Sequence, residues 1–213
     1  DPHVTERFVE IVRNYGVHTL RRQELGQDIS SACGQLVIQS RCDSELGDLE
    51  DLMKPLASGL NMGVLSESGC PGIADPGSIA VRYAHRHGIK VVPLTGPSSL
   101  LLALMASGLN GQNFAFHGYL PTDAGQRASR LRQLEQRSRQ DKQTQLFIET
   151  PYRNQGMLEH LLRTLDKRTQ LCLAIDMSLP SQTVLSMSIG DWQSWSKKHE
   201  AIVQSLDRRP AVF

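Results

Sequence analysis

Two glycine- and proline-rich segments carry the residues best suited to holding a ligand. Ser66-Glu67-Ser68-Gly69-Cys70-Pro71-Gly72 follows the apolar pair Val64-Leu65, and Thr95-Gly96-Pro97-Ser98-Ser99 follows the apolar run 89–93. Gly69 and Gly72 open backbone angles closed to other residues, while Pro71 and Pro76 fix φ and remove donors. Small side chains in both loops let a flat, polar ligand lie against main chain, whose N–H groups face outward at the carboxyl ends of strands. Two ordinary tight turns are the plainer alternative. A third position is Glu149, at the end of the apolar strand pattern 145–150 and followed by Pro151 and Arg153. A charge at a strand end suits a ligand-facing group, and a structural ion pair with Arg153 explains it equally well.

The elements that must position these residues follow from local pattern. Residues 62–65 read as a strand and 78–87 as a helix with Pro76 near its start and Gly88 just past its end. A buried strand at 89–93 and a helix at 100–107 follow. Strand, loop, helix, twice over, suits a parallel α/β sheet. Before this stretch, Val4, Phe8, Ile11, Val12 and Tyr15 sit at helical spacing. Residues 34–39 form a candidate strand, and 43–60 an acidic helix interrupted near Pro55. The polar cluster Gly108 to Asn113 suits a domain boundary, which gives domains 1–111 and 112–213. In the second, strands are expected at 114–121, 145–150, 170–177, 184–189 and 210–213, with helices at 125–142, 155–165 and 191–198. The arginines of the 125–142 helix read as a solvated face before a nucleic-acid contact.

Composition narrows the class. The chain has 213 residues, 39% of them hydrophobic and 21% charged, as expected for a globular protein with a sizeable core. No stretch approaches the roughly 18 apolar residues of a membrane span. Residues 1–110 carry 9 Lys/Arg against 12 Asp/Glu, and 111–213 carry 14 against 10. This mild basic bias permits a nucleic-acid surface without requiring one. Cys33, Cys42, Cys70 and Cys172 have no C-x-x-C spacing and no paired histidines nearby, so they read as cytoplasmic thiols, and no metal site is expected. Neither G-x-G-x-x-G nor G-x-x-x-x-G-K-[ST] occurs.

Four ordered segments carry a resemblance. S-E-S-G-C-P-G-I-A-D-P-G, then V-P-L-T-G-P-S-S, then F-H-G-Y-L-P and F-I-E-T-P-Y-R resemble the tetrapyrrole methylase superfamily over about residues 52–213. More narrowly, they are similar to its ribosomal small-subunit RNA methyltransferase I branch. The resemblance implies two α/β domains with S-adenosylmethionine bound in the cleft between them, and a homodimer. It implies methyl transfer to the ribose 2′-hydroxyl of a cytidine in small-subunit ribosomal RNA, with ribosomal RNA or the small ribosomal subunit as partner.

By position, the resemblance assigns Ser68, Gly69, Cys70 and Pro71 to a first cofactor loop and Ser98 and Ser99 to a second. Thr150, Pro151, Ile175, Asp176, Met177, Pro210 and Ala211 fall at later cofactor-edge segments. Glu149 is the candidate for assisting deprotonation of the acceptor, with Arg153 orienting it or touching phosphate. His117 is an alternative base, or a structural histidine. The family's opening Pro-Thr-Pro-x-Gly strand end and its Glu-Asp-x-Arg segment are not recognisable before residue 50. A truncated, rearranged or divergent start is therefore expected. Two other readings stay open: methylation of a tetrapyrrole or other small molecule, and a non-catalytic binding protein that keeps the fold.

Overall fold

The computed structural model describes residues 17–19, 46–66 and 69–213. The expected helix at the start, the strand at 34–39, Cys33, Cys42 and Ser68 lie outside the described residues. Contacts divide the chain into two compact units, Asp1–Gly96 and Pro97–Phe213.

In the first unit, β1 (Val17–Thr19) pairs in parallel with β2 (Asn61–Gly63), Val17 opposite Asn61. Helix α1 (Leu46–Ala57) runs through Pro55 where an interruption was expected. Pro55 falls in the last turn, so the helix loses a single backbone bond there, and its carbonyl accepts from the backbone N–H groups of Ser58 and Leu60. Helix α2 (Ser78–Arg86) is followed by Gly88 at φ 65°, the expected left-handed stop. The expected strand at 89–93 does not form: residues 89–98 hold no regular element, and Val92 and Leu94 are exposed. Pro93 brings no N–H to a ladder, and among the described residues no strand pairs with this segment.

The second unit opens with α3 (Ser99–Ser107), closed by Gly108. Its sheet holds β3 (Phe114–Tyr119), β4 (Thr144–Ile148), β5 (Gln170–Ile175), β6 (Thr183–Ser188) and β7 (Ala211–Val212), in the order β3-β4-β7-β5-β6. β3 and β4 are parallel and are joined by the long helix α4 (Ala124–Asp141). β7 is antiparallel to both β4 and β5, and β6 is antiparallel to β5. β3, β4 and β5 therefore run in one direction, and their carboxyl ends share one edge of the sheet.

The central strands are buried on both faces, which is why they read as continuous apolar runs. Phe147, Leu171, Leu173, Ile175, Ala211 and Phe213 enter the larger core. It is built with α4, α5 (Asn154–Thr164) and α6 (Ile189–Lys198), in which Trp192 is fully buried and its indole N–H donates to the Leu171 carbonyl at 2.9 Å. Leu146, Ala174 and Val212 point the other way, to a smaller core with Ala103, Leu100 and Leu104 of α3. Because α3 packs on this sheet, the compact unit begins ahead of it, whereas the polar cluster had suggested a boundary at 111/112. A short helix α7 (Glu200–Gln204), which the sequence pattern did not suggest, precedes β7.

Helix α4 buries only Leu131 and Leu134, so its ends matter. Asp123 caps it by accepting from the Gln126 N–H at 2.8 Å. Replacing Asp123 by Ala is expected to lower the unfolding free energy by about 1 kcal/mol, read as a shifted urea midpoint at unchanged slope.

Two arginines of α4 are tied to histidines. Arg127 Nε donates to His160 Nδ1 at 2.7 Å, and Arg130 Nη2 lies 3.2 Å from His117 Nδ1. A guanidinium only donates, so both Nδ1 atoms accept and the rings are neutral; His117 Nε2–H then donates to Gln145 Oε1 at 2.6 Å. Burial lowers the pKa of both histidines. For His117 the Gln145 bond opposes this, while Arg130 and Arg137 add to it. For His160 the flanking arginines, Arg127 first, add to it. Folded rings thus bind protons less readily than unfolded ones, so the unfolded chain takes up more protons and stability rises with pH. The thermal midpoint is expected to fall as pH drops through the ordinary histidine range near about 6.5, and less steeply in His160→Gln. Melts on either side of that range check the sign.

Candidate functional site

In the second unit, strand ends assemble a single edge. Glu149 directly follows β4, and Thr150 leads into a one-turn 3₁₀ helix at Pro151–Arg153 that has Pro151 in its first turn. The Glu149 side chain is 1% exposed, and its Oε1 and Oε2 lie 2.6 and 2.7 Å from Arg153 Nη2. Oε1 also accepts from the Thr150 N–H at 2.8 Å and from the Thr150 hydroxyl at 3.3 Å. The ion pair therefore locks the turn that carries Thr150 and Pro151. Among the described residues, two buried polar atoms here have no partner, Arg153 Nε and Asn154 Oδ1. Asn154 is held from its other end, its Nδ2 donating to the Arg209 carbonyl at 2.7 Å.

Next along the edge, β5 ends at Ile175 and the chain turns through Asp176 and Ser178, both in the left-handed region at φ 52° and 72°. Asp176 is almost fully buried. Its Oδ2 accepts from Arg209 Nε at 2.9 Å and the Ser181 hydroxyl at 2.8 Å, and forms an ion pair with Arg209 Nη2 at 2.8 Å, whose N–H donates to the Ser181 carbonyl at 3.0 Å. Its N–H donates to the Pro210 carbonyl at 2.9 Å, and Ile175 lies opposite Ala211 in the ladder. The structure thus brings together Glu149 to Arg153, Ile175 to Met177, and Pro210 with Ala211. Ser98 directly precedes α3, without a side-chain capping bond, and is buried, while Ser99 is exposed. The other end of α3 lies over the opposite half of β6, where the Ser186 hydroxyl donates to the Ser107 carbonyl at 2.7 Å. Its first turn therefore points toward the Ile175 edge, where Met177 and Leu100 pack against one small core.

Tyr119 belongs to this edge and was not singled out from sequence. The β3–β4 register slips between Phe116 and Tyr119, with Gly118 at φ 64°, and this bulge sets Tyr119 opposite Ile148. Burial raises the Tyr119 pKa; Glu149 and then Tyr152 raise it further, and Arg153 opposes them. Tyr119 is 46% exposed and so half-buried, and Tyr152 is exposed. A glycine within an otherwise apolar strand pattern, ahead of Tyr and Pro, was the signal available.

Gly69, Cys70 and Pro71 belong to the first unit, where the loop folds back on itself. Gly72 N–H donates to the Pro76 carbonyl at 3.3 Å and Ile73 N–H to the Cys70 carbonyl at 3.1 Å. The Cys70 thiol faces the Gly96 carbonyl at 3.8 Å, which ties the two sequence-predicted loops together. Gly77, at φ 145°, sits where an added Cβ would lie 3.3 Å from the Gly72 nitrogen. Only glycine suits both the angle and the approach. A cavity of about 680 Å³ lies between this loop and α2, lined by Val64, Pro71, Gly72, Val81 and His85 among others.

Comparison with known proteins adds a family. Residues 26–193 match the family described as Tetrapyrrole (Corrin/Porphyrin) Methylases. Among curated relatives, a Vibrio cholerae protein named "Ribosomal RNA small subunit methyltransferase I" is 34% identical over 68% of this chain and 49% of its own length. An Escherichia coli protein of the same name is 32% identical over 71% of this chain and 51% of its own. The chain spans about half the length of the curated relatives it matches. A solved structure titled as the methyltransferase CobJ superposes with a TM-score of 0.47 at 20% identity, over 75% of this chain and 66% of that one.

Proposed function

The chain belongs to the tetrapyrrole (corrin/porphyrin) methylase family, and we propose that it is an S-adenosylmethionine-dependent methyltransferase acting on small-subunit ribosomal RNA. The observation that carries this reading is the convergence at one sheet edge of Glu149–Arg153, Ile175–Met177 and Pro210–Ala211. Of these, Glu149–Arg153 lies in the F-I-E-T-P-Y-R segment that resembles the ribosomal RNA branch, the other two are assigned to the cofactor edge by position, and the relatives' names agree with that branch. The acceptor within this reading is a cytidine ribose 2′-hydroxyl, and the working form is a cytoplasmic homodimer. Among the described residues no helix is long and apolar enough to cross a membrane.

The residues present fit such a cofactor. Arg153 Nε is a buried donor without an acceptor and Asn154 Oδ1 a buried acceptor without a donor, which suits a ligand that offers both kinds of group. The Thr150 hydroxyl and the main chain at 175–177 and 210–211 supply further polar contacts, and Ile175, Met177 and Ala211 supply apolar ones. The resemblance also assigns Ser68, Gly69, Cys70 and Pro71, and Ser98 and Ser99, to the cofactor.

When bound, S-adenosylmethionine supplies a sulfonium-activated methyl group, which leaves orientation to the protein. Glu149 fixes Arg153 and the 149–153 turn, with both carboxylate oxygens already engaged. Arg153 and the Tyr119 hydroxyl are the groups set to meet the acceptor or its phosphate, with Glu149 as the candidate for assisting deprotonation. Titration calorimetry with S-adenosylmethionine tests the cofactor half: one-site saturable binding, displaced by S-adenosylhomocysteine, is expected. A folded chain that binds neither compound supports the non-catalytic reading.

A further inference from the structure

Helices α4 and α5 both start at the strand-end edge and run back from it side by side. Side chains tie the seam between them at two levels. Near the edge, Arg127 Nε donates to His160 Nδ1 at 2.7 Å. Farther along, Glu135 Oε1 accepts from the Asp166 N–H at 2.8 Å and from the Thr169 hydroxyl, just past the end of α5. Between these levels lie Arg132 on α4 and Arg163 on α5, both exposed. Arg132 precedes Glu135 by three residues, and Arg163 stands three residues from both His160 and Asp166. Residues three apart share a helix face, so the two guanidinium groups stand at one level on either flank of the seam. After burial, the charges of Arg127, Arg163 and Arg132, in that order, hold the His160 pKa down, which gathers all three about one neutral ring.

This level lacks a counter-charge. Three carboxylates lie within one helical turn of Arg132 or Arg163, and each is turned to another partner. Glu135 pairs with Arg139 at 3.3 Å, Asp166 with Arg168 at 3.2 Å, and Glu159 accepts from Gln155 Nε2 at 3.0 Å. Among the described residues neither Arg132 nor Arg163 makes an ion pair or a side-chain hydrogen bond. Arg137, Arg139 and Arg168, by contrast, each face a carboxylate. The arginines of this face thus divide into a neutralised set and a like-charged group that disfavours the folded chain until an anion joins it. Guanidinium groups match phosphate oxygens in geometry as well as charge. No large apolar side chain of α4 or α5 is exposed, so the face lacks the apolar centre that an acidic protein partner would need. We propose that Arg132 and Arg163 clamp a backbone phosphate of the RNA substrate across the α4–α5 seam. The proposal rests on the RNA reading above and adds the path of the strand. Asn154 and Arg163 are nine residues apart, roughly 14 Å of helix, so the clamped phosphate lies about that far from the Arg153 edge. Such a contact fixes register and carries no base preference.

The probe is a short fluorescein-labelled single-stranded RNA of mixed sequence, titrated with the full chain across a salt series and followed by anisotropy. In Arg132→Gln with Arg163→Gln, affinity at low salt is expected to fall about tenfold. The slope of log K against log salt should shrink by about 0.7, the share of one single-strand phosphate. Arg137→Gln with Arg168→Gln removes the same charge from neutralised positions and is expected to keep the parent's slope, as is Arg132→Lys with Arg163→Lys. Thermal melts of the first double variant should lie no lower than the parent's, since a like-charged pair is removed. RNA binding that is unchanged by Arg132→Gln with Arg163→Gln, or weakened equally by Arg137→Gln with Arg168→Gln, overturns the clamp and leaves the RNA reading standing. Polyglutamate that binds as tightly as RNA through the same two arginines overturns the assignment to RNA. A parent chain that binds S-adenosylmethionine but no RNA at low salt overturns the RNA reading, and the clamp with it.

Discussion

Replacing Arg153 by Ala is expected to cost about 3–5 kcal/mol of stability, because it strands a carboxylate in an apolar surround. The Glu149 side chain is 1% exposed and that of Arg153 30%, so water cannot readily take over the arginine's role. Buried pairs often contribute little net stability, since desolvation offsets attraction, yet removing one partner leaves the whole desolvation cost behind. The double variant Glu149→Gln with Arg153→Met should therefore recover most of the loss. Thermal and urea melts of the single and double variants check this. Near-equal stability of Arg153→Ala and the parent chain would show that the pair is solvated. In the functional reading, Arg153→Lys keeps a cation for both Glu149 oxygens, which Nη2 alone contacts, but loses the buried Nε–H that is left without a partner. It should preserve much of the fold while cofactor affinity falls, which separates positioning from mere stability.

The second large effect is at Asp176. Its carboxylate accepts from Arg209 Nε and the Ser181 hydroxyl and pairs in charge with Arg209 Nη2, and its backbone occupies the left-handed region. Asp176→Ala removes all three contacts and places a residue with no side-chain hydrogen bond at a strained angle, for an expected loss of roughly 3 kcal/mol. Asp176→Asn tolerates the angle and keeps neutral hydrogen bonds, so its loss should be about half as large. The turn at 176–182 and the neighbouring Pro210 are tied to this carboxylate. Amide exchange at Leu179 and Gln182, whose N–H groups donate to the Asp176 and Leu179 carbonyls, should rise in Asp176→Ala. Unchanged exchange there would mean that the turn is held by its backbone alone.

Much of the second unit was legible because its strands are apolar runs punctuated by Pro, Gly and charged residues. Glu149 after β4, and Pro210 before β7, mark strand limits as well as candidate contacts. The Glu149–Arg153 pairing was visible as an i, i+4 spacing, but the burial of Glu149 beneath Arg153 was not. β1 was illegible: three residues, Val-His-Thr, show no alternation long enough to count. The segment 89–93 misled for the reverse reason, since apolar content makes a strand only where a neighbour offers its ladder. Tyr119 escaped notice because a bulge at Gly118 sets its direction, and a bulge is a property of two strands at once.

Labelled methyl transfer is the most direct test of the central claim. Small ribosomal subunits are incubated with the chain and methyl-tritiated S-adenosylmethionine, and the extracted RNA is hydrolysed in alkali. The account predicts tritium in the RNA, held in an alkali-resistant dinucleotide that contains cytidine, because a 2′-O-methyl group blocks cleavage at its own phosphate. Binding of S-adenosylmethionine with label appearing only on a tetrapyrrole acceptor, or with no label in the RNA, would contradict it.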